Sequence, residues 1–95
     1  MLKTIKEITF PEANIVQIEF ELPQGYTDKE LTDSVRKEVS IPNFKTRTVF
    51  GKTVRLYGWM TLGMAAVVTH KLWHVARAIE MFDPKENEFY TVKRG

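Results

Sequence analysis

The stretch from Thr53 to Phe82 constrains the fold more than any other part of the chain. Thr53-Val54-Arg55-Leu56-Tyr57 alternates polar and apolar residues and stops at Gly58, which reads as a strand. Thr61 can cap a helix that runs to about His74. No glycine or proline interrupts Met64 to Asp83, so one long helix from Thr61 to Phe82 is the competing pattern. A break near His74 is preferred, because Val75 to Phe82 can pair with Phe89-Tyr90-Thr91-Val92 across a turn from Asp83 to Glu88. Strand, helix and strand then form a crossover unit with parallel strands, expected to be right-handed.

The rest of the chain fits around that unit. Val16, Ile18, Phe20 and Leu22 alternate with Gln17, Glu19 and Glu21, so Ile15 to Leu22 reads as a half-buried strand. Leu2 to Phe10 should pair with it as an antiparallel hairpin, with Pro11-Glu12-Ala13-Asn14 as the turn. Thr27 followed by Glu30 makes a capping box, and Leu31 and Val35 form the narrow apolar stripe of a solvated helix. Ile41-Pro42 stops that helix, and Asn43 to Phe50, with Lys45 and Arg47, reads as an exposed loop or the lead-in to a strand. The expected fold is a single α/β domain with a small mixed sheet in the order β-β-α-β-α-β-β.

Composition narrows function less than fold. The absence of cysteine excludes a thiolate metal site, a cysteine nucleophile and a disulfide framework, and suits a cytoplasmic protein. A net charge of +2 is mild for a protein of duplex DNA but suits a small anionic ligand. The longest apolar run, Met64 to Val68, is too short to cross a bilayer. At 95 residues, an oligomer is a natural way to bury more surface.

Two groups of residues could carry chemistry. His70 and His74 are the only histidines, spaced i and i+4, on a helix face with Gly63 and Val67. Gly63 should let another molecule approach that face. No glutamate follows His70, so the zinc-hydrolase motif is absent. Gly58 and Asp83 lie at the carboxyl ends of the two crossover strands beside Thr61, the edge where ligands sit in parallel α/β sheets. Asp83-Pro84 is equally a common turn initiator, and Lys85 a solvated turn residue. The eight residues between His74 and Asp83, extended at about 3.3 Å each, separate them by on the order of 26 Å. If the two groups cooperate, they do so between chains.

Gly58, His70-Lys71-x-x-His74, an apolar strand and Asp83-Pro84, with Ile41-Pro42 upstream and a hairpin at the start, resemble the small CRISPR-associated ring nucleases. These accessory proteins of type III systems degrade cyclic tetra-adenylate. The resemblance implies a domain distantly like the Rossmann-like sensors of cyclic oligoadenylates. It also implies a homodimer, manganese or magnesium as cofactor, and dimers that associate around the ligand. On this reading His74 from one dimer and Asp83, the metal-holding residue, from the dimer facing it complete the site. Lys85 adds charge stabilisation, and Tyr57, Gly58, Trp59, Thr61 and His70 meet the substrate. The chain departs from the family where it carries Thr61 and Gly63 in place of a proline and a tryptophan. It also has Lys85 in place of an arginine, which loses the forked phosphate contact. Other readings of these residues are a receptor that binds the cyclic nucleotide without cutting it, a dimeric interaction module without a nucleotide, and processing of linear RNA.

Overall fold

Strand pairing through the middle of the sheet is parallel, and antiparallel only at its two sides. A computed structural model describes residues 2–95. The elements are β1 (Ile5–Glu12), β2 (Ile15–Phe20), α1 (Asp28–Glu38), a π-type helix (Phe44–Val49), β3 (Thr53–Gly58), α2 (Leu62–Leu72), β4 (Ala78–Asp83) and β5 (Glu88–Lys93). They build one five-stranded sheet in the order β1-β2-β3-β4-β5. The β2–β3 and β3–β4 pairs are parallel, while β1–β2 and β4–β5 are antiparallel hairpins. The α/β class, the crossover from Thr53 to Phe82 and the break after the helix all hold as read from the sequence.

Both helices lie on one face of the sheet. Val16, Ile18, Phe20, Val54, Leu56 and Ile79 turn inward from the strands and meet Leu31, Val35, Met64, Val68 and Leu72 from the helices. Alternation along β2 and β3 explains the choice: every second residue is fully buried and its neighbours are half-buried. The capping box forms as expected, with Thr27 Oγ1 accepting from the Glu30 N–H and Glu30 accepting from the Thr27 N–H. Glu38, at the other end of α1, accepts from the N–H groups of Thr4 and Ile5 and from the hydroxyls of Thr4 and Ser34. That carboxylate ties the start of the edge strand to the helix.

Three local expectations need correction. Asn43 to Phe50 is not an open loop: Phe44–Val49 winds as a π-type helix, with the Phe50 N–H donating to the Lys45 carbonyl at 2.9 Å. Pro42 both stops α1 and starts this turn, since a proline costs nothing at a first helical position. Phe44 and buried Val49, five residues apart, suit the wider π repeat. Pro11 lies within β1 rather than in the turn, which is reduced to Ala13-Asn14. An edge strand tolerates the missing N–H, and the ladder is irregular between Thr9 and Glu12.

Gly63 is the third correction. It does not open α2 to an outside molecule, because α1 already occupies that approach. A Cβ at Gly63 would lie 2.6 Å from Thr32 Oγ1. Gly63→Ala should therefore cost about 1 kcal/mol, since the threonine must move aside. In a Thr32→Ala background the same change should become stabilising by about 0.5–1 kcal/mol, as helix propensity takes over. Urea denaturation of the four proteins reads that change of sign.

Candidate functional site

The side chains singled out in the sequence fall on two opposite rims of the sheet. His74 lies in the turn Trp73–Val75 that follows α2, at the rim where β3 and β4 begin. Asp83 is the last residue of β4, at the rim where β3 ends and α2 begins. The five steps of β4 alone separate these rims by roughly 17 Å. This is shorter than an extended Val75–Phe82 would give, because β4 starts only at Ala78. One chain still does not bring the two groups together.

The histidine rim is held by Lys93. Its ammonium donates to the carbonyls of Trp73 and Ala76, the latter at 2.7 Å, and stands 5.8 Å from the centre of the Trp73 ring. These are carbonyls at and just beyond the end of α2, where a cation is favoured. Lys93 thereby fixes the turn that carries His74. Lys93→Met should cost about 1 kcal/mol by urea denaturation and broaden the His74 imidazole resonances, with far-ultraviolet circular dichroism unchanged.

His70 and His74 border a groove of about 550 Å³ lined also by Ala65, Ala66, Thr69, Trp73 and Met81. Both imidazoles are exposed. The same rim is basic. Arg47, Lys52, Arg77, Lys93 and Arg94 stand at or beside strand ends there, with Glu12 as an acid among them. The Lys52 ammonium also lies 5.7 Å from the centre of the exposed Phe10 ring.

The opposite rim is acidic and apolar. Glu21, Asp28, Asp83, Glu86 and Glu88 lie there, accompanied by Lys3, Lys29 and Lys85. Asp83 Oδ1 accepts from the Lys85 N–H at 2.9 Å and from the Glu86 N–H at 3.4 Å, so the carboxylate shapes its own turn. Lys85 is exposed in that turn. Gly58 has φ +96°, and a Cβ on it would lie 2.2 Å from the Phe20 carbonyl oxygen. The backbone N–H of Trp59 donates to the same oxygen, and the residue is 76% exposed. Thr61 Oγ1 accepts from the Met64 N–H at 3.1 Å, the cap expected of it.

Tyr57 sits elsewhere. Alternation turns it to the sheet face away from the helices, where it packs edge-on to Phe89 at 6.4 Å. Arg55 lies over the Phe89 ring and pairs with Glu80 at 2.9 Å. Partial burial, then the carboxylates of Glu19 and Glu7, raise the Tyr57 phenol above its usual 10.0. The phenol stays protonated at neutral pH. Its raised value favours the folded state below pH 10, an advantage lost as pH climbs through the folded-state value.

Among the described residues no three metal-ligating side chains converge. Asp83 would therefore give a divalent ion one oxygen ligand, the others coming from phosphate and water, a pattern magnesium accepts with phosphate substrates. Also among the described residues, no helix is long and apolar enough to cross a membrane. Sequence reading did not find Lys93 or the division of charge between rims, because both depend on which strand ends the topology gathers. No family model, curated protein or solved structure matches the chain.

Proposed function

We propose that the protein is a metal-dependent ring nuclease that cleaves cyclic tetra-adenylate and so ends type III CRISPR signalling in the cytoplasm. The supporting observation is the placement of His74 on a basic rim and Asp83 on an acidic one. Unlike charges draw the basic rim of one copy to the acidic rim of another, which is what a centre assembled from separate subunits requires.

In that centre an imidazole nitrogen of His74 takes the proton from a ribose 2′-hydroxyl. The freed oxygen attacks the adjacent phosphorus, the bond from phosphorus to the 5′-oxygen breaks, and that oxygen gains a proton. A linear product with a 2′,3′-cyclic phosphate and a 5′-hydroxyl results. Asp83 of another copy would hold manganese or magnesium, whose charge offsets that building on the phosphate oxygens. Lys85 adds to it. Trp59 presents an exposed ring for an adenine, and Gly58 and Thr61 line the approach to the N-terminus of α2. Tyr57 would reach the ligand only from the open sheet face, and His70 from the groove.

The engagement of Asp83 Oδ1 in its own turn favours one second reading, a receptor that holds the cyclic nucleotide without cutting it. Incubation with cyclic tri-, tetra- and hexa-adenylate, with and without manganese, separates the two. Linear product from the tetra-adenylate supports the nuclease. Binding with no product over hours supports the receptor, and neither outcome with any ring removes both.

A further inference from the structure

The cleavage chemistry uses one nitrogen of His74 and leaves open why a second imidazole stands beside it. Helix α2 ends at Leu72, yet its winding continues. Trp73 has φ −54° and ψ −42°, and the Ala76 N–H donates to the Leu72 carbonyl at 2.9 Å. His74 therefore stands one turn beyond His70, about 6 Å further along the same axis. Residues so spaced share a face, with Cβ atoms about 5–6 Å apart. Both imidazoles are exposed and both border the groove of about 550 Å³. The groove residues one turn and one residue before His70 are the small Ala66 and Thr69, which leave room for a hydrated ion.

We infer that His70 and His74 chelate one divalent ion of the kind imidazole prefers (zinc, copper or nickel), with water in its other positions. Imidazole nitrogen suits these metals, whereas magnesium and manganese favour oxygen. Zinc binds each nitrogen at about 2.0–2.1 Å, so a tetrahedral ion needs the two nitrogens roughly 3.3 Å apart. A small tilt of each ring toward the other closes the gap from the Cβ spacing. Once one nitrogen holds the ion, the second is already at high effective concentration. The pair also stands at the carboxyl end of α2, where the backbone dipole favours a cation. Lys71 and Lys93 oppose it, and Lys93 already occupies the carbonyls of Trp73 and Ala76. The expected affinity is accordingly about micromolar. Both ligands come from one chain, so a lone subunit holds the ion.

One consequence rests on the function proposed above. A neutral imidazole has a single free lone pair, and an ion on the pair takes that of His74. The ring then cannot accept the 2′-hydroxyl proton, so the ion blocks cleavage. Zinc at nitrogen would act against the manganese or magnesium that Asp83 holds through oxygen.

Calorimetric titration of the untagged protein with zinc chloride, without nucleotide, tests the chelate. One equivalent should bind, and magnesium at the same concentrations should give no heat. His70→Ala and His74→Ala should each weaken zinc binding by about tenfold or more, since either leaves a lone imidazole. Their zinc-free melting temperatures should match that of the unmodified chain, because both rings are exposed. With one equivalent of copper, electron paramagnetic resonance should show hyperfine structure from two nitrogens, and from one in either variant. Zinc binding undiminished in either variant, or absent from the unmodified protein, would overturn the chelate. In the cleavage assay with manganese, zinc should inhibit the unmodified protein. His70→Ala, measured against its own zinc-free rate, should need about tenfold more zinc for the same inhibition. Zinc bound at the pair without slower cleavage would overturn the block on His74. The titrations involve no nucleotide, so failure of the chelate and failure of the nuclease reading are told apart.

Discussion

His74→Ala is expected to lower the rate of cyclic tetra-adenylate cleavage by about 10²–10⁴-fold, the usual contribution of a positioned general base. The loss should fall on kcat rather than KM, because the imidazole acts on the proton being moved and not on the adenines. Stability should not follow, since His74 is exposed. Asp83 needs two variants because it does two things. Asp83→Asn keeps an oxygen for the N–H groups of Lys85 and Glu86 but loses the charge, so it should impair cleavage without disturbing the turn. Asp83→Ala should impair both, with about 1 kcal/mol lost from the fold. Cleavage by His74→Ala at the normal rate, measured by product analysis, would remove the assignment.

Gly58→Ala should be the most damaging single change to the fold. Gly58 pairs with Phe20 at the end of the parallel β2–β3 ladder, and its φ of +96° is one that L side chains rarely adopt. A methyl group there would also press on the Phe20 carbonyl carbon at 3.1 Å and the Phe20 nitrogen at 2.8 Å, beyond the 2.2 Å contact with its oxygen. Backbone cannot swing aside as a side chain can, so the strands must part. A loss above about 3 kcal/mol follows, a large share of the 5–15 kcal/mol that holds a typical domain. In a chain of this length that lowers Tm by on the order of 15 °C. Gly51→Ala is the matched control. It shares a positive φ, +71°, but its Cβ would meet nothing within 4 Å, so only about 1 kcal/mol of backbone strain applies. Equal thermal shifts for the two would show that the contact with Phe20 is not what matters.

The parts of this fold legible in the sequence are those governed by local repeat. Alternation in Val16 to Phe20 and Val54 to Leu56 shows which residues face inward, and Thr27 and Thr61 mark where helices start. The turn at Trp73–Val75 was readable because the residues after it suit a strand better than more helix. The π-type helix was not, because Pro42 signals a stop and a start with the same residue. Gly63 misled for a related reason: a helical wheel gives a residue's angle but not which neighbour lies there. The separation of His74 from Asp83 follows from strand length alone. The division of charge between rims does not, since it arises only when Lys52, Arg77 and Lys93, distant in sequence, meet at one edge.

A centre shared between subunits is tested most directly by mixing two dead proteins. His74→Ala and Asp83→Ala should each fail to cleave cyclic tetra-adenylate alone. Combined in equal amounts and allowed to exchange, they should recover roughly a quarter of the normal rate, because random pairing unites one intact histidine with one intact aspartate in that share of centres. A mixture as inactive as either variant, beside an unmodified protein that cleaves, would contradict a centre built from two copies.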